Sequence, residues 1–383
     1  MTTSFSPGLD GVIAADTKVS YLDVDQEQIV IRGYDLIELA RRVRYADVAY
    51  LVIHGALPTP EQSKAFQQTL AEQADLPDEM YRLFDLMPKS TVAMDALRTG
   101  VSFLAGFEPP DLIADNSHEA NLRKGIRLLA QMPTVAINAY RALNGMPIVR
   151  PDPSLGYTEN ILHMVLGQRP TPQALDAFDR IHVCYIDHEM PASTFSARVI
   201  ASSLADIHGA MTGAVASLKG PLHGGANEAA IQMLLDILNK GGAGKAESYM
   251  MTKLRQKARI MGFGHRVYMK KYDPRALFLR DYIPALASQV PEGEELRAIS
   301  ETVEMVMKRE KGLFPNTDFP IGLLYYLLRI PVPLYTPLFY CSRAAGLVAQ
   351  IVEQHDDNRL FRPRVIYSGP RGLRPPQSRP TRG

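Results

Sequence analysis

Histidine, arginine and aspartate, the side chains that move protons and hold carboxylates, gather beside glycine and proline in four stretches of this 383-residue sequence. The first is Pro221-Leu222-His223-Gly224-Gly225-Ala226-Asn227-Glu228. A histidine here precedes a helical pattern, whose first amide groups are open donors, and the glycines let backbone come close to a ligand. A plain loop histidine accounts for the same residues. The second runs from Met261-Gly262-Phe263-Gly264-His265-Arg266 to Asp273-Pro274-Arg275. Gly262 and Gly264 resemble a fragment of a nucleotide loop, but no strand precedes them, which excludes a dinucleotide fold. Arg275 falls in the first turn of a helix, where the dipole disfavours a cation, so its placement points to a bound anion. In the third, Phe314-Pro315-Asn316-Thr317-Asp318-Phe319-Pro320, Asp318 reads either as a helix cap or as a general base in an apolar loop. The fourth pairs Arg343, in Tyr340-Cys341-Ser342-Arg343, with Arg362 some way beyond Glu353.

A further histidine lies in Asp187-His188-Glu189-Met190-Pro191-Ala192. A zinc protease would need its second histidine at Ala192, and Pro191 would break the required helix, so that reading is excluded. No cluster at metal-ligand spacing is visible, and Cys184 and Cys341 have no companions, which suits a reducing, cytoplasmic setting without metal. The other histidines read as core or surface residues.

Helices must position nearly all of these groups. Apolar residues recur at three and four along 61–74, 192–218, 227–239, 295–310 and 337–354, and Thr59-Pro60, Thr171-Pro172 and Asp273-Pro274 each pair a capping residue with a proline at a helix start. The run 192–218 reads as one long helix. Strand signals are confined to Lys18 to Asp23 and Gln28 to Arg32 before the Gly33-Tyr34 turn. Short connectors are expected at Glu108 to Asp111, Met146 to Pro153 and Gly241 to Gly244. The prolines and Arg329 interrupt the most apolar region, Ile321 to Cys341, short of a membrane span. With 46% hydrophobic and 22% charged residues, 42 basic against 41 acidic, the chain is an ordinary globular one with no net field for nucleic acid or an anionic membrane. Residues 363–383 turn basic and proline-rich, as a solvated, mostly disordered tail does.

Taken together, the segments resemble the citrate synthase family from Gly8-Leu9-Asp10-Gly11-Val12 through Arg362-Pro363. Arg32-Gly33-Tyr34, Asp95-Ala96-Leu97-Arg98, Asp187-His188-Glu189, Pro221 to Asn227, Gly262 to Arg266 and Asp273-Pro274-Arg275 match its patterns in order. The resemblance implies an all-α, two-domain fold with short N-terminal strands. The large domain would comprise 1–221 and 323–362, the small inserted one 222–322, and 363–383 the tail. It implies condensation of acetyl-CoA with oxaloacetate and water to citrate, or of propionyl-CoA to 2-methylcitrate; a catalytically silent homologue is the remaining alternative. On this resemblance His223, His265 and Asp318 are the catalytic trio, and His188, Arg275, Arg343 and Arg362 hold oxaloacetate, with Arg362 reaching the neighbouring subunit of a homodimer. Lys257, Arg259, Gly262, Gly264, Lys270 and Lys271 are the expected coenzyme A contacts, and acyl-CoA is a co-substrate rather than a bound cofactor.

Three departures flank these residues. Met269-Lys270-Lys271-Tyr272 makes the spacing from His265 to Arg275 one residue longer than usual, Pro191 stands where the family often has asparagine, and Thr317-Asp318-Phe319-Pro320-Ile321 differs from the common Val-Asp-Phe-Tyr-Ser. They bear on acyl-group preference more than on catalysis.

Overall fold

The computed structural model describes residues 5–23, 25–264 and 272–374. Strands β1 (Ser20–Asp23), β2 (Gln28–Ile31) and β3 (Tyr34–Asp35) form one antiparallel sheet in the order β1-β2-β3, with Ser20 opposite Ile31 and Val30 opposite Asp35. Val19, Leu22, Ile29 and Ile31 turn inward onto the helical body. Among the described residues everything else that is regular is helical. The first helices are α1 (Leu36–Arg42), α2 (Tyr45–His54), α3 (Pro60–Gln73), α4 (Asp78–Leu86), α5 (Ala93–Leu104) and α6 (Pro110–Ala114). The long α7 (His118–Leu143) leads to α8 (Tyr157–Leu166), α9 (Pro172–Tyr185), α10 (Ala192–Ala201) and α11 (Ile207–Leu218). Then come α12 (Ala226–Asn239), α13 (Ala243–Arg255), α14 (Pro274–Arg280), α15 (Ile283–Ala287), α16 (Gly293–Lys311), α17 (Asp318–Leu327) and α18 (Tyr335–Asp356).

The expected starts are present with their caps. Thr59 accepts from the Gln62 amide while the Gln62 side chain reaches back to Thr59, Thr171 accepts from Ala174, and Asp273 accepts from Arg275. The run 192–218 is not one helix. Residues 202–206 separate α10 from α11, Leu204 takes a left-handed φ of 64°, and Asp206 caps α11 by accepting from Gly209. A capping aspartate inside a continuous apolar pattern is the signal that the periodicity alone misses. The expected connectors at Glu108 to Asp111 and Gly241 to Gly244 are shorter than read, because α6 starts at Pro110 and α13 at Ala243.

Helix α18 is buried on every side from Tyr335 to Val352, packed by α2, α7, α9, α10 and α11, as a helix apolar all round must be. Beside it α7 carries Pro133, which has no N–H for the Leu129 carbonyl; the Tyr157 hydroxyl donates to that carbonyl instead at 2.9 Å. Helices α12 to α17 pack chiefly on one another, and α12 also touches α18. Both cysteines are buried and unpaired. Among the described residues no helix is long and apolar enough to cross a membrane.

Candidate active site

Four helix ends and the middle of α18 meet one another. Tyr185 closes α9, Asn227 opens α12, Arg275 lies in the first turn of α14, Asp318 opens α17, and Arg343 projects from α18. Asp318 Oδ1 accepts a hydrogen bond from the Tyr185 hydroxyl at 2.7 Å. Asp318 is therefore not the cap that its position suggested. It is the first helical residue, among the described residues no backbone amide bonds its carboxylate, and Asn316 Oδ1 takes the Asp318 amide at 3.1 Å. Burial raises the Asp318 pKa above the usual aspartate range, opposed by the Tyr185 hydrogen bond and by the charges of Arg275 and Arg343.

Arg343 is buried and donates through Nε to the Tyr185 carbonyl at 2.6 Å, with its guanidinium 4.9 Å from the centre of the Phe339 ring. Burial lowers its pKa to about 10, so it remains a cation at neutral pH. Arg275 is also buried, which removes the alternative of a solvated surface arginine. The anion it meets belongs to the chain itself: Asp273, the cap of α14, accepts from Arg275 Nε at 3.0 Å and Nη2 at 2.7 Å, and from Thr317 Oγ1 at 2.6 Å. That fork fixes the guanidinium and ties the start of α14 to the start of α17.

His223 is half-buried in the turn before α12. Its Nε2 accepts the Ser193 amide at 3.2 Å and lies 2.8 Å from Ser193 Oγ. A backbone N–H can only donate, so Nε2 carries no proton and the neutral ring holds its hydrogen on Nδ1. Burial, with Arg343 adding to it, lowers the His223 pKa to about 4, so the imidazole is neutral near pH 7. His188 is buried next to Asp187, whose carboxylate accepts from Ser20 Oγ at 2.5 Å and from Gln350 Nε2 at 3.2 Å. Ser20 Oγ also accepts the Glu189 amide at 2.8 Å, where Glu189 holds a left-handed φ of 60°. The loop lies directly on α18: a Cβ added at Gly346 would sit 2.3 Å from the Ile186 carbonyl oxygen.

Gly262 and Gly264, both at positive φ, clamp the approach to Asp318. The Gly262 carbonyl accepts the Asn316 amide at 3.0 Å, Gly264 O accepts Asn316 Nδ2 at 3.1 Å, and Phe263 bridges to Pro315. A Cβ on Gly262 would press on Phe319 at 3.0 Å. Lys257 and Arg259 are exposed in the turn after α13, and Arg362 is exposed beyond α18, its Nη1 donating only to the Pro363 carbonyl next to it among the described residues. The structure thus brings Arg275, Asp318 and Arg343 together, with Arg343 also facing His223 and facing Asp187 next to His188, and leaves Arg362, Lys257 and Arg259 at the surface of the chain. His265, Arg266, Lys270 and Lys271 lie outside the described residues. Among the described residues no group of three histidine, cysteine or acidic side chains could hold a metal.

Tyr185, Asn316, Asp273, Ser193 and Ser20 complete the site without having been singled out for it. Of these only Asp273 carried a sequence signal, and that signal was a helix cap. A carboxylate made more basic by burial lies with two buried guanidiniums, one of which also faces a neutral imidazole, an arrangement able to exchange protons next to an anionic ligand.

A family model described as citrate synthase, C-terminal domain, matches residues 8–364. Citrate synthase of Heyndrickxia coagulans is 46% identical over 97% of this chain and 98% of its own, and citrate/2-methylcitrate synthase of Bacillus subtilis is 47% identical over 96% and 97%. The fold superposes on a ternary complex of carboxymethyl coenzyme A and oxaloacetate with citrate synthase from Thermoplasma acidophilum, with a TM-score of 0.90 and 31% identity over 97% of this chain and 98% of that one. The chain belongs to the citrate synthase family.

Proposed function

We propose that the protein condenses acetyl-CoA with oxaloacetate and water, giving citrate and CoA. The observation that carries this reading is the half-buried Asp318 carboxylate, held by the Tyr185 phenol and facing the guanidiniums of Arg275 and Arg343, the second of which also faces neutral His223. A thioester methyl is a very weak carbon acid. Asp318 takes its proton while the Nδ1–H of His223 donates to the thioester oxygen and stabilises the enol-like species. With Nε2 accepting from Ser193, the neutral ring has one N–H to offer, and it is on Nδ1. His188, Arg275 and Arg343 bind the two carboxylates and the ketone end of oxaloacetate, and His265 polarises the ketone for carbon–carbon bond formation. Water then cleaves the citryl thioester, and CoA leaves as the thiol.

Residues 1–221 with 323–362 act as the large domain and 222–322 as the small one, whose closure keeps water from the enolised thioester. The coenzyme lies along Lys257, Arg259, Gly262, Gly264, Lys270 and Lys271. A homodimer brings Arg362 of one subunit to the oxaloacetate of the other. The reaction needs no metal, and the protein works in the cytoplasm.

Propionyl-CoA is the alternative donor, favoured by the name of the Bacillus subtilis relative and by 2-methylcitrate synthases of Corynebacterium glutamicum that are 38% identical over 94% and 96% of the chain. One methylene is worth only about 1–3 kcal/mol to a pocket. Thiol release with each acyl-CoA, compared as kcat/KM at fixed oxaloacetate, tests both. Release with acetyl-CoA in excess supports the proposal, faster release with propionyl-CoA moves the assignment to 2-methylcitrate, and no release with either refutes an enzymatic role.

A further inference from the structure

The Tyr185 ring is 2% exposed and stacks on Phe339 with ring centres 4.2 Å apart. Phenylalanine would fill that space equally well. A hydroxyl buried there loses its water and persists only with a partner; Tyr185 Oη donates to Asp318 Oδ1 at 2.7 Å, with the Asn227 side chain also within hydrogen-bonding reach of it. The backbone of the same residue holds Arg343 through its carbonyl at 2.6 Å. Tyr185 therefore connects the carboxylate at the start of α17 to the guanidinium on α18, two groups that no helix has in common.

We infer that Tyr185 is a positioning residue for the base: its phenol occupies Oδ1 of Asp318, aims Oδ2 at the substrate carbon, and fixes the base relative to Arg343. This rests on the reading of Asp318 as the base. Burial pushes the Tyr185 phenol well above its ordinary pKa, with Asp318 adding to the shift, so the hydroxyl stays protonated and donates at every working pH. The hydrogen bond favours the ionised carboxylate and moderates the rise that burial imposes on it. The other charged and titratable groups facing Asp318 among the described residues are Asp273 and Arg275 from α14, Arg343 from α18, and Tyr325 on its own helix.

Tyr185→Phe keeps the stacked ring and removes only the donor. The expected result is a kcat lower by about 10- to 100-fold, the loss typical of a hydrogen bond to a charged group. The KM for oxaloacetate should stay close to normal, the melting temperature should be little changed, and the acid limb of the kcat profile should move to higher pH. The sign follows from the bond: without it the carboxylate holds its proton more tightly and must be titrated at higher pH. If the phenylalanine variant fails to fold, 3-fluorotyrosine at position 185 is the second arm. Its more acidic phenol donates more strongly and should move the limb to lower pH. Unchanged kcat and an unmoved limb in the folded Phe variant, or no shift with fluorotyrosine, would overturn the inference. Asp318→Asn measured in parallel separates the two claims. Near-normal turnover in Asp318→Asn removes the base itself, whereas an inactive Asn variant beside a normal Phe variant removes only the role of Tyr185.

Discussion

Arg343 shows how much of the site's selectivity rests on side-chain shape. Its planar fork reaches the Tyr185 carbonyl through Nε and lies over Phe339, and among the described residues its other donors make no hydrogen bond, which suits the anion proposed for it. A lysine keeps the charge but has neither the fork nor the flat face. For Arg343→Lys the expected outcome is a KM for oxaloacetate raised by about 10- to 100-fold, corresponding to about 1.5–3 kcal/mol for a charge-assisted hydrogen bond, with a smaller change in the KM for acetyl-CoA. Steady-state kinetics with each substrate varied in turn measures it; equal rises in both would point to general damage. His223, Asp318 and Arg343 were legible as residue types because polar groups stand out against loop glycines or an apolar helix. Tyr185 was not, because a tyrosine at the end of an apolar helix has the same pattern as a core residue, and its partner lies 133 positions away.

At the scale of elements, the short N-terminal sheet has a purpose that its strand pattern does not announce. Ser20, at the start of β1, holds both the Asp187 carboxylate and the Glu189 amide, and so props the loop that carries His188 in its left-handed turn. Ser20→Ala leaves a buried carboxylate short of a donor and an amide without its acceptor. A stability loss of about 1–3 kcal/mol is expected in urea unfolding, together with a higher KM for oxaloacetate and a kcat that changes less. A normal KM in the folded variant would show that the sheet supports the fold alone. The helices were readable from periodicity and their starts from Thr-Pro and Asp-Pro. The break between α10 and α11 was not, since only the Asp206 cap marks it. Nor could spacing reveal that the Asp273 cap would also grip Arg275 and Thr317, because that depends on how α14 and α17 meet.

The whole molecule adds two expectations. Burial lowers His182, His208 and His223 to about 4, below the ordinary histidine value, so between roughly pH 6.5 and pH 4 the unfolded chain binds more protons than the folded one. Stability should therefore fall as pH drops through that window. His182→Leu, at a core position whose Nδ1 meets the Phe178 carbonyl at 3.0 Å, should flatten the slope of melting temperature against pH, whatever it does to the melting temperature at pH 7. An unchanged slope would mean that His182 is not among the groups responsible. The second expectation concerns Arg362, which within one chain meets only its neighbour's carbonyl among the described residues. Mixed dimers of Arg362→Ala and Asp318→Asn chains should regain turnover at limiting oxaloacetate, because one site in each then has both native residues. No recovery in verified mixed dimers would return Arg362 to the surface of its own subunit. The most direct test of the account is deuterium uptake from D2O into the methyl group of acetyl-CoA, with malate filling the oxaloacetate site so that condensation cannot proceed. The wild-type protein should exchange the methyl protons, and folded Asp318→Asn should exchange them at least about 100-fold more slowly; equal exchange by the two proteins would contradict Asp318 as the base.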